Sequence, residues 1–96
     1  MSRTALVTGA TGGIGRAFTK ALHERGYALI LTGRSTEKLT ELSQEATGGA
    51  AQIVVADLGT QDGIDTLVDV LERNPVHLLV NNAGFGTHGE FAALDL

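Results

Sequence analysis

The sequence predicts an α/β fold in which a parallel sheet carries helices on both faces. Three observations lead there. Short apolar runs of strand length alternate with segments of helical period, the connections between them are short, and the runs are apolar throughout rather than at every second position. Strands apolar on both sides are buried on both sides, as in parallel sheets whose crossovers lay helices over each face. The hand of such crossovers is fixed by the right-handed twist of the strands.

The first strand is read at residues 4–8, where Ala5, Leu6 and Val7 precede Thr8. Beyond a glycine-rich turn, Ile14, Ala17, Phe18, Ala21 and Leu22 recur at i, i+3, i+4, i+7 and i+8. That spacing puts them on one core-facing stripe of a helix, with Arg16, Lys20, His23 and Glu24 on the other face. Gly26 stands at C′ to end it. A second strand at 28–32 leads to Ser35 and Thr36, N-cap candidates for a helix that carries Leu39, Leu42 and Ala46 and closes at Gly48 and Gly49. The third strand is read at 52–57. It precedes a helix with Ile64, Leu67, Val68 and Leu71 on one face, which Asn74 and Pro75 stop. A fourth strand at 77–81 runs into the turn Asn82-Ala83-Gly84-Phe85-Gly86. No linker, repeat or low-complexity segment interrupts the order, so residues 1–96 are read as one unit.

An apolar content of 43% over 96 residues suits one small core. Seven Lys plus Arg against eleven Asp plus Glu give a net charge of −4 with no basic cluster, which argues against nucleic acid or an anionic membrane as partner. Without cysteine there is neither a disulfide framework nor a thiolate metal site. His23, His77 and His88 match no zinc spacing. No run reaches membrane-spanning length and no apolar leader precedes the first strand, so a cytoplasmic protein is expected.

Thr8 to Gly15 reads TGATGGIG, four glycines in eight residues between a strand and a helix. A backbone stripped of side chains there can press its own N–H groups, at the positive end of the helix, against a phosphate. An isolated glycine-rich turn is as often a mere flexible connection. Its position inside the first β-α-β unit is the context a dinucleotide fingerprint requires. No Lys-Ser or Lys-Thr follows Gly15, so it is not a mononucleotide P-loop.

The octet resembles the T-G-x-x-x-G-x-G turn of the short-chain dehydrogenase/reductase family, and equally the T-G-x-x-G-x-x-G form of that family's extended branch. Asn81-Asn82-Ala83-Gly84 resembles the N-N-A-G motif of the common single-domain branch, and Asp57-Leu58 resembles its acidic position beside the adenine. The resemblance spans nearly the whole chain and implies a Rossmann-type sheet of order 3-2-1-4, with the family's later strands not in this sequence. It implies Gly9, Thr11, Gly13, Ile14 and Gly15 at the pyrophosphate, Asp57 and Leu58 at the adenine, and Asn81, Ala83 and Gly84 on the ribose side. Taken alone, Asp57 reads equally as the cap of the next turn, and the Asn pair as local backbone partners.

An NAD-selective site carries an acid about 20 residues past the glycine loop. Here the second strand ends Thr32-Gly33-Arg34-Ser35. Arg34 offers a charged planar fork and Ser35 a hydroxyl, which suit a 2′-phosphate, so NADP(H) is favoured and NAD(H) stays possible. Many NADP-dependent relatives also hold a basic residue inside the glycine loop, where this chain has Gly12.

The family's chemistry implies hydride transfer between a nicotinamide and a carbonyl or alcohol carbon, using a Ser and a Tyr-x-x-x-Lys beyond the fourth strand. The single tyrosine, Tyr27, is followed four residues later by Leu31 and is not that tyrosine. The chain is therefore read as the N-terminal part of an oxidoreductase acting on a small carbonyl or alcohol, homo-oligomeric when complete, with no catalytic residue and no metal ligand of its own. The alternatives are a non-catalytic nucleotide-binding module or an inactive remnant. Residues 78–80 are expected at an unpaired, apolar sheet edge that invites aggregation.

Overall fold

The computed structural model of the chain describes residues 3–81 and 92–95. Its elements are β1 (Thr4–Thr8), α1 (Gly13–Glu24), β2 (Ala28–Gly33), α2 (Thr36–Thr47), β3 (Gln52–Val55), α3 (Gln61–Arg73), β4 (Leu78–Asn81) and β5 (Ala92–Asp95). The strands form one sheet in the order β3-β2-β1-β4-β5. β1 to β4 are mutually parallel, and Thr8 lies level with Thr32 of β2 and Asn81 of β4 while Thr32 lies level with Val54 of β3. The carboxyl ends of all four strands therefore reach the same edge.

β4 is not an edge strand, which corrects the expectation for residues 78–80. It pairs antiparallel with β5, with Leu79 opposite Leu94 and Val80 opposite Ala93. A four-residue run offers too little periodicity to announce such a pairing from sequence.

The two faces of the sheet bury separate cores, as continuous apolar strands require. Val7, Leu31 and Val80 pack on one side with Leu22 of α1 and Leu39 and Leu42 of α2. Leu6, Ile30 and Val54 pack on the other, against Leu67, Val70 and Leu71 of α3. Each fully buried Leu contributes about 1.5–3 kcal/mol relative to an exposed one.

Two helices differ from the stripes expected of them. In α1 the buried residues are Gly15, Thr19 and Leu22, while Ile14 is 42% exposed. In α3 Gly63 is buried, and Ile64 and Val68 are 43% and 46% exposed. In both, a glycine lies against neighbouring backbone and turns the helix so that the small residue faces inward. The helix ends follow the sequence closely. Gly26, at φ 85°, closes a Schellman turn in which Tyr27 N donates to Leu22 O at 3.1 Å. Gly48, at φ 65°, ends α2 in the same left-handed conformation. β3 ends at Val55, two residues before Asp57, which thus belongs to the following turn.

Candidate functional site

Because β1 to β4 end together, three turns and the starts of three helices gather at one edge of the sheet. The glycine turn opens with Gly9 at φ 60°, a left-handed conformation that favours glycine. Gly12 N donates to Gly9 O at 3.2 Å, and Ala10 N donates to Thr32 O at 3.3 Å, tying the loop to the end of β2. Gly12 is the N-cap of α1, and no side chain caps that end. The contrast with its neighbours is chemical. Ser35 Oγ accepts from Lys38 N at the start of α2, Thr60 Oγ1 accepts from Gly63 N at the start of α3, and Glu37 and Asp62 add an acid to those first turns. The first turn of α1 holds no acid. Its positive end is left to whatever lies in front of it.

The glycines of this turn answer different needs. A Cβ on Gly15 would stand 2.5 Å from Gly9 O and 2.8 Å from Ala10 Cα, so Gly15 is the point at which helix and loop pack backbone to backbone. Thr19, one turn on and fully buried, returns its hydroxyl to Gly15 O at 2.7 Å. A Cβ on Gly13 would meet no atom of the described residues within 4 Å, and Gly13 is not among the positive-φ glycines. Nothing among the described residues requires glycine there. What it leaves is room at the mouth of α1 that a side chain would fill. Thr11 is half-buried and Ile14 exposed beside it. Arg16 is turned from this mouth to Glu45 of α2, with Nη1 2.9 Å from Oε2.

Beyond β2, Arg34 is exposed and makes no ion pair among the described residues. Ser35 spends a lone pair on Lys38 N at 3.2 Å and keeps its proton to donate. Gly33 O accepts from Ala56 N at 2.9 Å, which joins this corner to the turn after β3. In that turn Asp57 Oδ1 accepts from Gly59 N at 2.9 Å, so Asp57 does cap its own turn. Its other carboxylate oxygen has no hydrogen-bond partner among the described residues and stays available. Leu58 beside it is half-buried. At β4, Asn81 is exposed, and its Oδ1 accepts from Thr8 Oγ1 at 2.9 Å. Ala83 and Gly84 lie outside the described residues.

One member of this corner escaped the reading of motifs. Thr32 is buried, accepts from the glycine loop through its carbonyl and donates its hydroxyl to Val54 O at 2.7 Å. It links the glycine turn, β2 and β3. A polar residue inside an otherwise apolar strand was the signal for it. Among the described residues no helix is long and apolar enough to cross a membrane.

Comparison with known proteins bears on this architecture directly. The family model described as short chain dehydrogenase matches residues 3–96. The chain is 36% identical over 99 residues to the uncharacterized oxidoreductase YmfI of Bacillus subtilis, covering 99% of this chain and 40% of that protein. It is 40% identical over 87 residues to sulfoacetaldehyde reductase 2 of Chromohalobacter salexigens, covering 88% of this chain and 34% of that protein. L-sorbose reductase of Gluconobacter frateurii, solved with NADPH and L-sorbose, superposes with a TM-score of 0.75 at 26% identity, over 90% of this chain and 35% of that one. The chain thus spans about two-fifths or less of the length of these relatives. With its 3-2-1-4 parallel core and a family match over nearly every residue, the chain belongs to the short chain dehydrogenase family and forms its nucleotide-binding region.

Proposed function

We propose that the chain is the cofactor-binding part of an NADP(H)-dependent oxidoreductase that interconverts a carbonyl and an alcohol on a small molecule. The observation that carries the reading is the mouth of α1. It is a helix N-terminus with no side-chain cap and no acid in its first turn, fronted by Gly13, whose missing side chain serves no contact among the described residues. A diphosphate fits those features, because its charge complements the helix dipole and its oxygens accept from backbone N–H groups. Gly9, Thr11, Gly13, Ile14 and Gly15 would hold the pyrophosphate, Asp57 and Leu58 the adenine, and Asn81, Ala83 and Gly84 the ribose side. The nicotinamide, when bound, supplies or accepts the hydride. What these residues contribute is binding and orientation.

The choice of NADP(H) rests on Arg34 and Ser35. Arg34 has no carboxylate partner among the described residues, and Ser35 retains a donor proton. A charge-assisted hydrogen bond of this kind contributes about 1.5–3 kcal/mol, or roughly 10- to 100-fold in affinity. L-sorbose reductase, a relative in fold and sequence, was solved with NADPH. Two of the similar proteins are reductases of an aldehyde and of a sugar, which accords with a carbonyl substrate. In this reading residues 1–96 act as one dinucleotide-binding unit of a cytoplasmic, homo-oligomeric enzyme. Calorimetric titration of the chain with NADPH and with NADH tests it. NADPH should bind at least tenfold more tightly. Equal or tighter NADH binding overturns the NADP(H) assignment, and binding of neither overturns the cofactor reading.

A further inference from the structure

At the third position of α3, where a capping box would carry Glu or Gln to reach back to the N-cap, the chain has Gly63. Glycine is the poorest helix former after proline, and the backbone here does not demand it, since φ is positive only at Gly9, Gly26, Gly48 and Gly49 among the described residues. The reason is packing. Gly63 is buried, and a Cβ there would overlap the carbonyl group of Asp57 and come within 2.9 Å of its backbone nitrogen. The first turn of α3 thus lies directly on the backbone of the residue assigned to the adenine.

Thr60 closes the same knot. Its backbone N and its hydroxyl both donate to Asp57 O, at 3.0 and 2.8 Å, and the hydroxyl oxygen accepts from Gly63 N at 3.0 Å. With Gly59 N on Oδ1, both the carbonyl and one carboxylate oxygen of Asp57 are held, although the residue is exposed and lies beyond the end of β3. The remaining oxygen is a pure acceptor, matched to the exocyclic amino group of an adenine. An acceptor ordered in advance loses less freedom when the ligand arrives.

We infer that Thr60 and Gly63 are positioning residues for the adenine half of the cofactor, acting through Asp57. The inference rests on the cofactor reading above, and it differs from the Arg34 argument in one respect. Adenine is common to both nicotinamide dinucleotides, so the knot acts on NADPH and NADH alike.

The test compares calorimetric affinities of Gly63→Ala, Thr60→Val and Thr60→Ser in the chain Met1–Leu96, each also in an Asp57→Ala background, with Gly59 amide shifts followed by NMR. Gly63→Ala and Thr60→Val should weaken NADPH and NADH by the same factor, about three- to tenfold, through lost preorganisation. Thr60→Ser should bind as the unsubstituted chain does, and neither of the first two should weaken binding further once Asp57 is Ala. If Gly63→Ala fails to fold, Thr60→Val carries the comparison. Unchanged affinity in a variant whose Gly59 amide has moved overturns the inference, as does a loss that persists without the Asp57 carboxylate. An unsubstituted chain that binds neither nucleotide overturns it together with the cofactor reading.

Discussion

Thr8, the last residue of β1, donates its hydroxyl proton to Oδ1 of Asn81, the last residue of β4, across 2.9 Å. The same hydroxyl lies 3.4 Å from Val80 O. Thr8 is buried, so one side chain joins the glycine turn to the start of the Asn81-Asn82-Ala83-Gly84 segment. Replacing it by Val keeps the shape and removes the donor. Thr8→Val is expected to lower unfolding stability by about 0.5–1.5 kcal/mol, the net worth of a hydrogen bond whose acceptor residue is exposed to water, whereas Thr8→Ser stays nearer the parent. Urea midpoints of the three chains check this, and a Val variant as stable as the parent contradicts it.

Gly13 and Gly15 separate binding from folding. A methyl on Gly15 must displace the Gly9–Ala10 backbone, so Gly15→Ala should destabilise the fold by about 1–3 kcal/mol. A methyl on Gly13 meets nothing among the described residues, so Gly13→Ala should leave thermal unfolding unchanged or slightly raised while weakening NADPH binding at least tenfold. Thermal melts and calorimetry on the same two proteins read both quantities. Loss of stability in Gly13→Ala would show that the open mouth of α1 has an internal structural role.

Arg34 should carry a salt-dependent preference. Arg34→Leu removes the guanidinium without touching the adenine or diphosphate contacts, so NADPH affinity should fall about 10- to 100-fold while NADH affinity changes little. The preference of the parent chain should also shrink between low and high salt, because an exposed charge pair is screened. Titrations with both nucleotides at two salt concentrations give the answer. Equal losses for the two nucleotides would remove Arg34 from the 2′-phosphate.

The elements these predictions rest on were legible to different degrees. Continuous apolar runs marked β1 and β2 because both their faces are buried, and Gly26, Ser35 and Gly48 marked helix ends because each does a local job that needs few neighbours. The inward faces of α1 and α3 were not legible in the same way. Apolar periodicity counts hydrocarbon, whereas α1 turns Gly15 and Thr19 inward and α3 turns Gly63 inward. Thr19 can be buried because its hydroxyl is absorbed by Gly15 O within the helix, a pairing invisible to hydropathy. The proposed site is the one that motifs spell out, at the glycine turn and at Arg34. It was not legible at Thr32, Thr60 and Gly63, whose contribution comes from contacts between turns that only the assembled sheet brings together. The β4–β5 pairing was hidden because the four residues of β5 carry too little periodicity to announce a strand.

Ser35 has two duties that a single substitution can pull apart. Its oxygen caps α2 by accepting from Lys38 N at 3.2 Å, and its proton is the donor assigned to the 2′-phosphate. Asp caps helices as well as Ser does but carries a negative charge and no proton to give. Ser35→Asp should therefore hold the melting temperature of the parent, while Ser35→Ala loses about 1 kcal/mol of stability with the cap. Their nucleotide preferences should diverge in the other direction. Ser35→Asp sets a carboxylate against a phosphate and should bind NADPH more weakly than Ser35→Ala does, with NADH held as well as before or better, since an acid at this strand end suits free ribose hydroxyls. Melting curves and paired titrations of the two variants decide it: a Ser35→Asp chain that keeps its NADPH affinity would mean that Ser35 caps the helix and does nothing for the cofactor.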